Sequence, residues 1–485
     1  MIFALSFFLN AATNFAFGLT LSAILGPAEF GRYSTVQLAS ITLAGGMLDW
    51  LRYSTLRFSG DDEAKTVIAS SLEAGYFALT LAIYAAVGVC VALDATFGLG
   101  APLLLLTPLL GVAAHRVDFT GAQFRARDQG VAFAGIYGLR QLLCFTAVAA
   151  TAYATRSAAF TVAVLAAANL IPALAFAASA RVSGTALAKA SAERLKTFFV
   201  YAKPIVFSLV MYQLVGLINR HVALTQLGAE ATGKFALATD LGQRLFGAAN
   251  SLPELMLFQY VLRLDRTEGR AAAERQLSRN ISIALGFLAP LAAGYAVMAP
   301  TLEALMAPAA YRGSFAPLSA ALAPGYFGLF VIISAISPIF QLKNATWQLS
   351  AASVLAVVVD LALVEFTDLA LSIDGLAMAS SVSLVAAMIA TAILAWRVSD
   401  VRPRLVDIVV IAAATALMAA LVRPLNAMSS HGAAAAAAVA IAGVILGGAY
   451  LAFDVGGVRT LAVAGWRRRQ PKRRDDSVKA YRGAA

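Results

Sequence analysis

Apolar runs of about twenty residues alternate with short polar segments along almost the whole chain. They fall at about 1–25, 33–58, 66–93, 102–123, 131–153, 158–180, 204–226, 235–260, 281–305, 315–342, 346–366, 375–396, 406–422 and 432–453. A hydrocarbon core roughly 30 Å thick takes about 20 helical residues to cross, so the pattern predicts about fourteen transmembrane helices. In lipid each backbone N–H and C=O has to pair within its own span, which selects helices. The short alternating segments of a membrane β-barrel are not seen. The expected fold class is an all-α integral membrane protein. The first run lacks a basic leader and a cleavage site and reads as a span, not a signal peptide.

One polar hinge recurs between runs. Leu25, Gly26, Gly31, Arg32, Tyr33 and Ser34 align with Leu227, Gly228, Gly233, Lys234, Phe235 and Ala236, giving the pattern L-G-x4-G-[RK]-[YF]-[SA] twice. Gly26 and Gly228 suit a turn, Pro27 stops a helix, and Gly31 and Gly233 permit close backbone approach. The copies follow spans one and seven. An even number of spans lies between them, so the two halves run parallel, related by an axis along the membrane normal. The expected division is a six-helix bundle at 1–180, a linker at 181–203, a second six-helix bundle at 204–398, two further helices at 399–453 and a basic tail at 454–485. In repeats of this kind the substrate lies in a central cleft between the bundles, near the midplane.

Composition agrees with the pattern: 60% of residues are hydrophobic and 13% charged. The net charge of +11 would suggest nucleic acid in a soluble domain. Here the basic residues sit in loops and tail, so no nucleic-acid partner is expected. Fourteen spans put 29 Lys and Arg on the side of the termini and 5 on the other, with Arg140, Arg220 and Arg244 inside spans. That asymmetry predicts cytoplasmic termini. The run from Trp466 to Arg474 reads as a polybasic segment against anionic membrane lipids. Cys90 and Cys144 lie in apolar runs, with no metal or redox spacing.

An arginine at mid-helix costs about 2.5–3.5 kcal/mol on insertion scales and needs a partner or a watery cavity. Arg140 and Arg244 lie near the middle of spans five and eight, and Arg220 in the outer half of span seven. Asn10 and Asn14 share a face of span one, and Gln213, Gly216 and Arg220 a face of span seven. Each has a second reading. Asp240 and Arg244, four residues apart, are placed to neutralise one another. Asn10 and Asn14 suit bonds to neighbouring helices, and Arg220 can snorkel outward. His221 and His115 fit interfacial packing as well as chemistry. Asp360 has no evident partner; with Asp240 and His221 it is a candidate for ion coupling. The basic excess at depth suits an anionic head group, since guanidinium binds phosphate in bidentate fashion. Arg140, Arg220, Arg244, Asn10, Asn14 and Gln213 are thus the candidate substrate-binding residues, and Gly26, Pro27, Gly31, Gly228 and Gly233 the candidate hinge.

The hinge Leu25–Ser34, Pro204 opening span seven, Asn219 with Arg220, and Leu227–Ala236 resemble the bacterial polysaccharide and oligosaccharide-lipid flippases of the multidrug/oligosaccharidyl-lipid/polysaccharide exporter superfamily. The resemblance covers roughly residues 1–398. It implies two six-helix bundles around a central cleft and an activity that moves a lipid-diphosphate-linked glycan across the inner membrane for polysaccharide export. It also implies basic cavity residues that hold the diphosphate, best matched here by Arg220 and Arg244. Candidate partners are the lipid-linked glycan, a polysaccharide polymerase and glycosyltransferases. Many members carry an acid where this chain has Asn219, and twelve spans where it has fourteen.

No cofactor or metal is expected. An enzyme would need reactive groups on a sizeable outer loop, and the outer loops are short. The Asp61, Asp62 and Glu63 cluster reads as a solvated loop. The remaining alternatives are a drug/cation antiporter of the same superfamily, which would want a buried carboxylate in the first bundle, and a peptidoglycan-precursor lipid flippase.

Overall fold

A computed structural model of the chain describes residues 2–58, 65–95, 97–180, 187–343, 345 and 347–460. The acidic cluster Asp61, Asp62 and Glu63, the start of the linker at 181–186, and the basic tail with Trp466 lie outside the described residues. Among the described residues the protein is helical, with no strand.

The longest element, α1 (Ile2–Phe58), is one helical path broken at Gly26, where φ is 71° and ψ 171°. The following Pro27 has no N–H to donate and fits the first turn of the next arm. α2 (Lys65–Ala92), α3 (Ala101–Ala126) and α4 (Gly130–Leu143) follow, the last running through a π turn at Cys144–Val148 into α5 (Ala149–Thr155). α6 (Ala158–Ala175) and the short α7 (Ala177–Ala180) complete the first half.

The second half opens with α8 (Ala192–Val222), capped by the Ser191 hydroxyl on the Arg194 N–H. The helix therefore starts well before Pro204. This corrects the expectation that Pro204 opens the span: the linker is already helical from Ala192 and packs Phe198 and Ala202 against α1. α8 runs through a π turn at Ala223–Leu227 to Gly228, where φ is 89° and ψ 168°. The two hinge glycines thus share one backbone conformation, in a region an L side chain rarely enters. α9 (Ala229–Thr267), α10 (Arg270–Val297) and α11 (Ala299–Met306) lead to α12 (Phe315–Val331), which joins α13 (Ser337–Leu342) through a third π turn. α14 (Trp347–Phe366), α15 (Ile373–Val398), α16 (Leu405–Val422) and α17 (His431–Phe453) end the helical body.

Twelve of these helical stretches are long and apolar enough to cross a membrane. One of the twelve, 9–58, is two spans joined at Gly26. α9 is too polar to be among them because Asp240, Gln243, Arg244 and Asn250 interrupt its apolar positions. By its place after the second hinge it is the partner of the second arm of α1, which brings the number to fourteen. The protein is a multi-pass membrane protein.

In the first half α3 packs between α1 and α6; in the second, α15 packs against α12 and α14, and α14 against α8. α16 docks on α10, and α17 packs against α16 and reaches α10, where the Tyr450 hydroxyl donates to the Gly286 carbonyl at 2.6 Å. The halves meet where α1 lies along α8 and α9. One apolar core spans that contact, with Phe30, Tyr33, Phe235 and Phe246 all buried in it.

Candidate functional site

The two hinge copies touch each other. A Cβ on Gly233 would lie 1.8 Å from the Pro27 carbonyl oxygen, and one on Gly31 would lie 2.4 Å from that of Ala229. Glycine at both places is what lets the backbones meet, so the cleft between the halves is closed at the hinge face of the membrane. Tyr311 adds a bond across the same face, its hydroxyl donating to the Ser22 carbonyl at 3.2 Å.

Just below this seal lies a buried polar knot. Arg220, only 2% exposed, donates through Nη1 to the Ser34 carbonyl at 2.9 Å and hydroxyl at 2.7 Å, and through Nη2 to the Thr239 hydroxyl at 2.8 Å. It is ion-paired with Asp240, whose other oxygen accepts from the Ser34 hydroxyl at 2.6 Å. Tyr326 donates to the Thr239 carbonyl at 2.9 Å. Arg220 therefore does not snorkel outward. Nor does Asp240 neutralise Arg244 along α9. Its partner is on α8, because helix rotation turns it toward that neighbour. Arg244 instead donates to the Asn14 carbonyl of α1 and lies over Gly18, where a Cβ would stand 2.8 Å from Nη1. The Asn10 and Asn14 side chains accept from Gln141 of α4 at 2.6 and 3.1 Å, a bond between neighbouring helices. His221 stands at the hinge face, with Nδ1 3.2 Å from the Phe97 carbonyl oxygen.

Asp360 does have partners, supplied by distant stretches of chain. Its carboxylate is fully buried and accepts from Asn219 Nδ2, 2.9 Å from each oxygen, and from the Ser383 hydroxyl at 3.4 Å. Ser380 lies 3.0 Å from the same Asn219 nitrogen. No basic group is paired with Asp360 among the described residues.

A cavity of about 300 Å³ opens beyond the knot, between α1, α3, α4, α6 and the flank of α8. On α1 its lining runs from Gln37 to Arg52, about 22 Å of helix. It therefore reaches from mid-membrane toward the face opposite the hinge. Arg52 is ion-paired with Asp49 at 3.1 Å, and His115 Nε2 lies 3.6 Å from the same oxygen. Asp118 accepts from the Tyr137 hydroxyl at 2.9 Å. Arg140 lines the cavity with no ion pair among the described residues, and its Nε has no hydrogen-bond partner. Asn169 and Gln213 complete the polar wall.

Of the residues singled out in the sequence, the cavity brings together His115, Arg140 and Gln213. Arg220, Asp240 and Arg244 lie nearer the hinge and are engaged with protein groups. Asp118 and Asn169 were not visible as site residues: each is a single polar residue in an apolar helix, and spacing along the chain does not tell which way it faces.

The outer surface carries two apolar grooves. One, about 530 Å³, lies between α9, α10, α16 and α17 and is lined by Leu245, Phe287, Met418 and Leu446. The other, about 700 Å³, lies between α16 and α17 and includes Leu405, Val409 and Phe453.

No protein-family model matches the chain, and no curated protein matches its sequence. Solved structures match by fold. A structure of the lipid II flippase MurJ in an inward closed conformation superposes with a TM-score of 0.73 over 95% of this chain and 99% of its own, at 12% identity. An inward-facing multidrug resistance MATE family transporter of the MOP superfamily gives 0.60 over 80% and 94%, at 17% identity. An outward-facing structure of such a transporter gives 0.54 over 81% and 94%, at 15% identity. The chain has the all-helical fold that these membrane transporters share.

Proposed function

We propose that the protein is a flippase that carries a lipid-diphosphate-linked oligosaccharide from the cytoplasmic to the periplasmic leaflet of a bacterial inner membrane, with both termini cytoplasmic. Arg140 carries this reading: a guanidinium at membrane depth that faces a cavity and has no ion-pair partner among the described residues. An intramembrane charge is costly and marks a substrate path, and a phosphate oxygen completes a guanidinium well. The apolar grooves beside α16 and α17 suit the other half of an amphiphile, whose chain stays against the protein while its head crosses. The likeness to a flippase over 95% of the chain has to include part of that helical pair, since Leu405–Phe453 is about a tenth of the chain.

In this reading the closed hinge face and the open lower cavity are one of two alternating states. Arg220 and Arg244 are held by protein groups now and become free for the head group when the halves part. Asp360, buried without a basic partner among the described residues, is the proposed coupling site for a proton or sodium ion. A drug/cation antiporter fits less well: Asp49 is already paired with Arg52, and Asp118 with the Tyr137 hydroxyl. A peptidoglycan-precursor flippase shares the anionic, lipid-linked substrate, and the likeness to a lipid II flippase favours it as the second reading.

The test is deletion of the gene in its host, with extraction of lipid-linked intermediates. Accumulated lipid-diphosphate oligosaccharide with loss of surface polysaccharide supports the reading, and re-expression of the Arg140→Gln variant should fail to reverse it. Accumulation of the peptidoglycan precursor selects the second reading. Normal lipid intermediates with raised drug sensitivity would overturn both.

A further inference from the structure

The polar atoms of the lower cavity make a demand that an anion alone does not meet. Asn169 is 1% exposed and His115 4%, and both line the cavity. Asn169 Oδ1, Gln213 Oε1 and Arg140 Nε are all buried without a hydrogen-bond partner among the described residues. A buried polar atom left unpaired costs about 1–3 kcal/mol, so several around one space indicate a ligand or waters that complete them. Two of these atoms, the amide oxygens, are acceptors only. They need O–H or N–H donors, which a diphosphate esterified at both ends, an acyl chain or an apolar cation does not supply.

The charges of the wall point the same way. Arg52 and Arg140 face Asp49 and Asp118, two of each sign, so the space as a whole is no anion trap. The remainder of the lining includes Ile41, Ala44, Leu110 and Leu165. Planar carboxylate, amide, imidazole and guanidinium groups set around an apolar wall match a pyranose, which has hydroxyls at its rim and C–H faces above and below. At about 300 Å³ the cavity is at the small end of ligand pockets. It holds a sugar ring or two, not a long glycan.

We infer that this cavity is a carbohydrate site in which Asn169 and Gln213 receive the hydroxyls of a sugar and Arg140 receives the anionic group attached to it. The inference deepens the proposed function and rests on it for the phosphate; the sugar assignment rests on the unpartnered atoms. The cavity would then select the sugar next to the diphosphate and leave the outer glycan unread.

The experiment uses the full chain in lipid nanodiscs and calorimetric titration with inorganic phosphate, a panel of soluble monosaccharide 1-phosphates, and the matching neutral methyl glycosides. The expected result is a monosaccharide 1-phosphate that binds at least tenfold more tightly than inorganic phosphate. Gln213→Leu and Asn169→Leu should each reduce that preference roughly three- to tenfold, one hydrogen bond's worth, with phosphate binding unchanged. Arg140→Gln should bring the sugar phosphate down to the level of the methyl glycoside. Thermal unfolding checks each variant. Gln213 Oε1 supports no internal bond, so Gln213→Leu keeps the test open if Asn169→Leu misfolds. Sugar phosphates that bind no better than phosphate, or a preference untouched in Gln213→Leu, would overturn the sugar site alone. Absence of binding by phosphate and every sugar phosphate would sink the flippase reading with it. Methyl glycosides that bind as tightly as the 1-phosphates would remove Arg140's role and leave the sugar site standing.

Discussion

Gly233→Ala should force the hinge face open. Its Cβ would lie 1.8 Å from the Pro27 carbonyl oxygen and 2.5 Å from the carbonyl carbon. An ordinary C···O contact is about 3.3 Å, so the two backbones would have to part by about 1.5 Å. Both sides are backbone, and no side-chain rotation relieves the clash. Moving α1 that far from α8 and α9 would stretch the Arg220 bonds to Ser34, now 2.9 and 2.7 Å, past hydrogen-bond reach. Bonds to a charged group are each worth about 1.5–3 kcal/mol. Two of them bias the closed state by roughly 3–6 kcal/mol, or two to four powers of ten in its population. The assay replaces Cys90 and Cys144, places a single cysteine at Gln37 below the seal, and times its reaction with an impermeant maleimide applied from the hinge face. The parent should be protected and Gly233→Ala should label at least tenfold faster. Gly216→Ala is the control, because its Cβ would meet Leu38 at an ordinary 3.5 Å. Equal protection in a folded Gly233→Ala protein would refute the claim that backbone contact closes this face.

Ser34→Ala, which removes the hydroxyl shared by Arg220 and Asp240, should give a milder version of the same labelling increase with little loss of thermal stability. Arg220→Gln or Asp240→Asn alone leaves a buried charge unpaired and should destabilise the protein by about 3–5 kcal/mol; the double variant should recover part of that loss in thermal melts, and simple additivity would count against the pair. Arg140→Gln should insert and melt normally while polysaccharide export falls. Asp360→Asn should abolish the dependence of transport on an imposed proton or sodium gradient, and a gradient response equal to the parent's would remove Asp360 from coupling.

The number of spans and the existence of two halves were legible in the sequence because both are written locally. Hydrophobic length fixes every span but α9, which its place after the second hinge identifies. A glycine needed at positive φ recurs wherever the same corner recurs, as at Gly26 and Gly228. The depth of Arg140, Arg220 and Arg244 could likewise be counted along a helix. What each charge meets could not. Asp240 sits four residues before Arg244, a spacing that pairs them on an isolated helix, yet it bonds Arg220 and Ser34 from two other helices. Asp360 finds Asn219, distant in the chain and adjacent in space. Asn169 and His115, one amide and one imidazole in apolar runs, become a cavity wall only because α3 and α6 turn them toward α1. The sequence by itself determined how many helices cross and where the chain bends. Which polar groups close the cleft and which face the empty space was decided by the rotation and crossing of helices, since partner choice in lipid depends on interhelical geometry and not on spacing along one chain.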